Sequence, residues 1–220
     1  MKTVAFVPLR LNSKRVEGKN LRLLGNKPLL RYIFETLLKV DGIDEIYAYC
    51  SSEKIIPLLP AGIKFLRRDN RLDGDFVLGR EIYDSFCNEI FADVYILAHA
   101  TSPFLKASSI ENGLMAVKSG DYDSAFSAEK KQTFVWFNGK TLNYSLDNIP
   151  RTQELEPVYI ETSGFFIFTN KLWREKKHRI GEKPYIQIVD FIEAIDIDYP
   201  DDFKQAELII KILNSNLYEF

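Results

Sequence analysis

The sequence predicts an α/β fold: a doubly wound, mostly parallel sheet with a small β-rich excursion. Three observations carry that expectation. The first two-thirds of the chain alternate short β-like runs with helical patterns, the arrangement that puts helices on both faces of a parallel sheet. From residue 124 to about 169 the runs become short, aromatic and closely spaced. The last third then returns to alternation and closes on an amphipathic stretch.

In chain order, strands are expected at 3–8, 45–50, 64–67 and 94–98, each a compact apolar run. A helix is expected over 29–40, because Leu30, Ile33, Phe34, Leu37 and Leu38 share one face and Gly42 offers a left-handed stop. Ser108-Ser109-Ile110-Glu111 reads as a capping box opening a helix that runs out at Gly120. Residues 124–128, 134–137 and 165–169 read as strands, and Asn138-Gly139 as a hairpin turn. The excursion spans about 129–164 and suits a lid or a dimerisation arm. Further strands are expected at 185–189 and, briefly, 194–196. A final helix starts near Pro200, with Phe203, Ala206, Ile210 and Leu213 as its buried stripe. The 220 residues fit a single domain over 1–220.

Composition narrows the function. Hydrophobic residues make up 46% and charged residues 27%, with a net charge of only −2. No global field therefore recruits nucleic acid or an anionic membrane, and anions must be met by local clusters. No apolar run reaches membrane-spanning length and no signal-peptide layout opens the chain, so a cytoplasmic enzyme domain is expected. Cys50 and Cys87 lie in apolar surroundings, which predicts buried reduced thiols. Two cysteines and two histidines far apart lack zinc-ligand spacing.

Four segments carry candidate chemistry. Arg10, Lys14, Arg15 and Lys19 crowd the loop after the first strand, where open sheets bind ligands and cations grip phosphates, although four cations also suit an ordinary solvated loop. Near the end, Asp196 and Asp198 stand two apart on an expected strand, so both carboxylates can meet one hard cation. The same run also reads as a helix start, with Asp198 as cap and Asp201 and Asp202 complementing the dipole. His99-Ala100-Thr101-Ser102-Pro103 forms a small hydroxyl-rich turn at a strand end, a natural pocket floor, although His99 also reads as a turn histidine. Arg151 to Gln153 and Tyr159 to Gly164 mix polar, aromatic and glycine residues, as sugar recognition and ordinary turns both do.

Taken in order, these segments resemble the acylneuraminate cytidylyltransferase family, the CMP-sialic acid synthetases and their relatives. The resemblance rests on Arg10, Ser13, Lys14, Lys19 and Asn20, then Leu66-Arg67, Thr101-Ser102-Pro103, Arg151 and Gln153. Ile195-Asp196-Ile197-Asp198, Asp202-Phe203 and Gln205-Ala206-Glu207 complete it. It implies a nucleotide-diphospho-sugar transferase-like fold that acts as a homodimer, the excursion of one subunit reaching the other's site. It implies CTP held by Arg10, Asn12, Ser13, Lys19, Asn20, Arg67, Thr101 and Ser102, and Mg²⁺ held by Asp196 and Asp198. CMP would pass to an acidic sugar, with Arg10, Lys19 and Asp198 as the catalytic set. His99, Arg151, Gln153, Tyr159 and Glu161 would meet the acceptor.

Four departures lie on the base and sugar side: Leu9 for a small residue, Phe76-Val77 for Ser or Thr after Asp75, His99 for glutamine, and Ser163 for asparagine. They leave CMP transfer better supported than sialic acid as acceptor. Two other readings compete. A metal-dependent nucleotide-sugar glycosyltransferase would place its Asp-x-Asp mid-chain rather than late. A non-catalytic nucleotide-binding domain would have no use for two metal carboxylates.

Overall fold

A computed structural model of the chain describes residues 1–215; the last five of the expected domain lie outside that range. The chain opens on β1 (Thr3–Leu9), followed by the loop of interest and a small hairpin, β2 (Leu23–Leu24) and β3 (Lys27–Pro28). Next come α1 (Leu29–Leu37), β4 (Glu45–Cys50) and β5 (Ile63–Arg67). Then α2 (Gly79–Glu89), β6 (Val94–Ala98), α3 (Ala107–Lys118) and β7 (Ser124–Lys131) follow. A second hairpin, β8 (Trp136–Phe137) and β9 (Lys140–Thr141), precedes the long β10 (Val158–Thr169). The chain ends on α4 (Asn170–Lys176), β11 (Pro184–Val189) and α5 (Pro200–Asn214).

Seven strands form one sheet in the order β11-β7-β10-β6-β1-β4-β5. All neighbours pair in parallel except β10, which runs antiparallel to both β6 and β7. The expected mostly parallel, doubly wound sheet is thus present. Alternation along β1 divides the core: Ala5, Val7 and Leu9 pack with α1 and α3 on one face. Val4 and Phe6 pack with α2 and α4 on the other, where Phe6 stacks on Phe86 at 4.1 Å. A third, smaller core lies under α5, where Phe203 and Ala206 meet Val16, Leu24, Leu29 and Ile197. Because β1, β4, β5 and β6 run the same way, the loops after Leu9, Cys50, Arg67 and Ala98 share one edge of the sheet.

Several local expectations need correction. No capping box opens α3: Lys106 is its N-cap, without a side-chain cap, and Glu111 instead accepts a hydrogen bond from the Asp41 amide at 3.1 Å. No strand forms at 194–196. The Asp190 carboxylate accepts from the amides of Ile192 and Glu193, at 3.0 and 2.9 Å, and folds that stretch into a turn. Of the expected strand at 134–137 only Trp136–Phe137 pairs, across a hairpin turn where Asn138 and Gly139 have φ of 50° and 74°. The helices α2 and α4 leave little periodic signal in the sequence. Each offers only a short apolar stripe, Ile82 with Phe86 and Leu172 with Trp173. Cys50 and Cys87 are free and buried as expected, and burial raises the Cys87 thiol to about 12.

Candidate active site

The loop after β1 wraps back on itself because Asn20 is buried and donates to the Arg10 carbonyl at 2.7 Å. That bond places Arg10, Ser13, Lys19 and Asn20 along one wall of a cavity of about 260 Å³ at the strand ends. Arg10 reaches the Val77 carbonyl at 3.3 Å. The Lys19 side chain is only 11% exposed, and its ammonium donates to the Ile197 carbonyl at 2.5 Å.

The opposite wall comes from the turn after β6. His99 and Thr101 line the cavity. The His99 Nδ1 lies 2.6 Å from the Ser163 carbonyl. A carbonyl only accepts, so Nδ1 carries the proton and Nε2 keeps its lone pair. Burial pushes the imidazole below its ordinary pKa, more than the Ser163 bond restores. His99 is therefore a neutral group with a hydrogen-bond acceptor to spare.

The Thr101 carbonyl accepts from the Ile197 amide at 2.9 Å, which fastens the Asp-Ile-Asp run to the cavity rim. Ile195 and Ile197 pack into the core under α5, leaving Asp196 and Asp198 outside that core. Asp198 does not cap α5. Tyr199 is the N-cap, and the Asp202 carboxylate accepts from the amides of Asp198 and Tyr199 at 2.9 and 2.7 Å. Freed from capping, Asp198 pairs with Lys19 and Arg15, each at 3.1 Å. Asp196 Oδ1 is buried without a hydrogen-bond partner among the described residues.

That orphaned oxygen is an observation a cation would explain, since a buried carboxylate oxygen without a partner is costly. Asp196 and the half-exposed Asp198 give two hard oxygen donors, the number magnesium takes from protein when phosphates complete its shell. Among the described residues no group of three or more His, Cys, Asp or Glu could hold a metal. The residues fit a metal that arrives with its phosphates and not a resident, fully caged one.

The remaining sequence candidates divide. Asn12 and Arg67 line a separate cavity of about 620 Å³ with Ser51, Ser52 and Asp73. There Arg67 is exposed and paired with Glu53 at 2.9 Å. Its neighbour Arg68 takes the buried position instead. It lines the 260 Å³ cavity and donates to the Leu9 carbonyl at 2.7 Å and to Asp73 at 2.6 Å. Sequence reading missed Arg68 and also Tyr83, which lines the same cavity from α2. No sequence signal separates Arg68 from Arg67, because the inward turn of the side chain that follows β5 depends on how that edge strand meets the end of β1. Ser102 is buried below the turn rather than lining the cavity. Lys14 pairs with Asp75 at 2.6 Å, and Phe76 is 97% exposed, so the Phe76 ring does not shape the cleft.

Arg151, Gln153, Tyr159 and Glu161 belong to the excursion and line neither cavity. Arg151 folds onto Glu154 at 2.8 Å. The Gln153 carbonyl accepts from Gln132 at 2.9 Å. Tyr159 is exposed, and Glu161 pairs with Arg179 at 2.8 Å.

A mostly parallel sheet with a cation-lined cleft beyond its strand ends has the architecture of open α/β proteins that bind ligands at the carboxyl ends of their strands. The chain belongs to the cytidylyltransferase family, which it matches over residues 4–218. It is 23% identical to the N-acylneuraminate cytidylyltransferase of Streptococcus agalactiae serotype III, over 92% of this chain and 52% of that protein. The chain thus spans about half the length of that relative. It is 24% identical to the pseudaminic acid cytidylyltransferase of Campylobacter jejuni serotype O:2, over 99% of this chain and 100% of that one. Its fold is similar to a CMP:2-keto-3-deoxy-manno-octonic acid synthetase solved in complex with CTP. The TM-score is 0.73 at 17% identity, covering 96% of this chain and 99% of the other.

Proposed function

We propose that the protein transfers CMP from CTP to the hydroxyl of an acidic sugar and releases pyrophosphate. The observation that carries this reading is the seam between the two ends of the chain. The Asp196–Asp198 run is tied to the cavity rim beside Lys19, and Asp196 Oδ1 has no partner of its own. Family membership supports the same reaction class.

In this reading Arg10 and Lys19 bind the triphosphate, with Ser13, Asn20 and Thr101 as neutral donors around it. Asp196 and Asp198 would hold a magnesium ion, whose chemistry there is neutralisation of phosphate charge. The acceptor hydroxyl oxygen forms a bond to the α-phosphorus as the bond from the α-phosphorus to the bridging oxygen breaks. Pyrophosphate leaves and the hydroxyl proton passes to solvent, so the protein's task is alignment and charge stabilisation. With Nδ1–H turned to Ser163, His99 Nε2 accepts a hydrogen bond from the acceptor. Its lowered pKa makes it a weak base, which suits positioning rather than proton removal.

The acceptor we favour is an acidic sugar, or a similarly sized acidic alcohol, other than N-acetylneuraminic acid. Imidazole offers one acceptor where a glutamine would offer a donor and an acceptor, and a mismatched buried hydrogen bond rejects strongly. The excursion exposes Trp136, Phe137, Leu146, Ile149 and Ile160, an apolar surface of the kind that pairs subunits. A homodimer would bring Arg151 and Gln153 to the partner's cleft.

The test is pyrophosphate release from CTP with nine- and eight-carbon keto sugar acids. Release with CTP and at least one such acid is expected. Failure with every acid, together with no thermal stabilisation by CTP, would overturn the reading. N-acetylneuraminic acid as best substrate, with kcat/KM of roughly 10⁴ M⁻¹s⁻¹ or more, would overturn the role given to His99. Light scattering that finds only monomer would remove the dimer.

A further inference from the structure

A third cavity, of about 530 Å³, opens between the start of α2 and the turn after α4. It shares Tyr83 with the 260 Å³ cavity, so one phenol ring is a wall of both. Arg80, Lys177 and Arg179 line it, together with Trp173, and no carboxylate does. Lys177 is already paired with Asp84, whereas Arg80 makes no ion pair among the described residues. Arg179 lies with its guanidinium 3.7 Å from the centre of the Phe166 ring, and the His99 ring meets the same Phe166 edge-on at 6.1 Å. One aromatic ring therefore separates Arg179 from the residue assigned to the acceptor. Among the described residues the carboxylate that Arg179 meets is Glu161, at 2.8 Å, on the exposed half of β10. A guanidinium stacked on an aromatic plane and facing a cation-lined hollow is built to take a planar anion in two parallel hydrogen bonds.

We propose that Arg179, with Arg80 beside it, binds the anionic group of the acceptor in this 530 Å³ cavity, displacing Glu161 as it does so. The inference rests on the reading that the acceptor is an acidic sugar. It adds where the acid is read and by which residue. Glu161 then acts as a competitor for Arg179 in the empty cleft rather than as a direct contact to the sugar.

The experiment compares the wild-type chain with Arg179→Met, Arg179→Lys and Glu161→Gln. Each is assayed with the best keto sugar acid, with its analogue reduced to the alcohol at the carboxylate, and with a sugar-alcohol phosphate. Arg179→Met should lower kcat/KM for the acid roughly 10- to 100-fold, the range for losing a hydrogen bond to a charged group. The effect should fall mainly on KM, leave the neutral analogue and CTP binding unchanged, and be partly recovered in Arg179→Lys. Glu161→Gln should move KM for the acid the other way. It keeps the idea testable if Arg179→Met folds poorly. An unchanged preference for acid over neutral analogue in both variants overturns the proposal. A preference for the phosphate over the acid keeps Arg179 as the anion site and identifies phosphate as the anion. If the wild-type chain releases no pyrophosphate with any acceptor, the transfer reading fails on its own. Calorimetric binding of the same three compounds to wild type and Arg179→Met then decides the anion site, equal affinities counting against it.

Discussion

The Lys19 ammonium stands 3.1 Å from the Asp198 carboxylate, a contact that joins residues 179 positions apart. The same ammonium donates to the Ile197 carbonyl. Lys19 thus fastens the carboxyl-terminal acidic run to the loop that leaves the first strand, and the cleft forms where the two ends meet. Asp198 is shared by Lys19 and Arg15, so its charge is balanced until an incoming phosphate competes for those cations.

From this arrangement, replacing Asp198 should affect turnover far more than folding. Asp198→Asn keeps the size of the side chain, and capping of α5 by Asp202 is untouched. Turnover is expected to fall on the order of 10²-fold or more, as for loss of a major electrostatic contact. Tm by differential scanning fluorimetry should change little. Ordinary turnover in this variant would return Asp198 to a purely structural pairing role.

Nucleotide preference offers a second test, independent of the acceptor. With Mg²⁺ present, CTP should raise Tm more than ATP, GTP or UTP, because a ligand that binds only the folded state stabilises it by mass action. Asp196→Asn should reduce the magnesium-dependent part of that shift. Equal shifts with all four nucleotides would remove the claim for cytidine.

Acid should weaken the fold through His99. Its folded pKa lies below the ordinary 6.5, so the unfolded chain takes up a proton first as pH falls. Stability from the neutral imidazole is full above 6.5 and is lost progressively below it, by at most about 1.4 kcal/mol per pH unit for one proton. Chemical denaturation of wild type and His99→Gln between pH 5 and 8 should therefore give curves that converge toward acid. A constant difference across that range would show that His99 is not held neutral by burial.

Arg68 is expected to matter for stability. Its guanidinium is buried and ties the Leu9 carbonyl at the end of β1 to Asp73. Arg68→Met leaves both acceptors without their donor. A cost of roughly 2–4 kcal/mol is expected, below that of breaking a fully buried pair because Asp73 is partly exposed. Urea denaturation measures it, and a loss under about 0.5 kcal/mol, the ordinary surface range, would contradict the role.

The sequence by itself determined the parallel part of the sheet and six of the residues that face its cleft. Apolar runs of period two and 3.6 fix which side chains are buried, so β1, β4, β6 and α1 were legible from Val4 to Ala98, and with them the cation loop that must follow β1. Arg10, Ser13, Lys19, Asn20, His99 and Thr101 do line one cavity. Tertiary structure decided what local pattern leaves open. Asp198 looked like a helix cap or a strand residue. It is neither, because the Asp202 carboxylate occupies the capping amides and the Asp190 turn breaks the strand. Arg67 and Arg68 are adjacent and chemically alike, yet one is exposed and one buried, since successive residues at a strand end point opposite ways and only the Arg68 position meets the Leu9 carbonyl. Arg179 carried no signal at all. Its significance arises only when the turn after α4 is packed against β10, bringing it onto Phe166 beside His99. Periodicity reports what a residue does relative to its own element; which distant groups share a cavity depends on how elements pack, and that information is not local to any stretch of sequence.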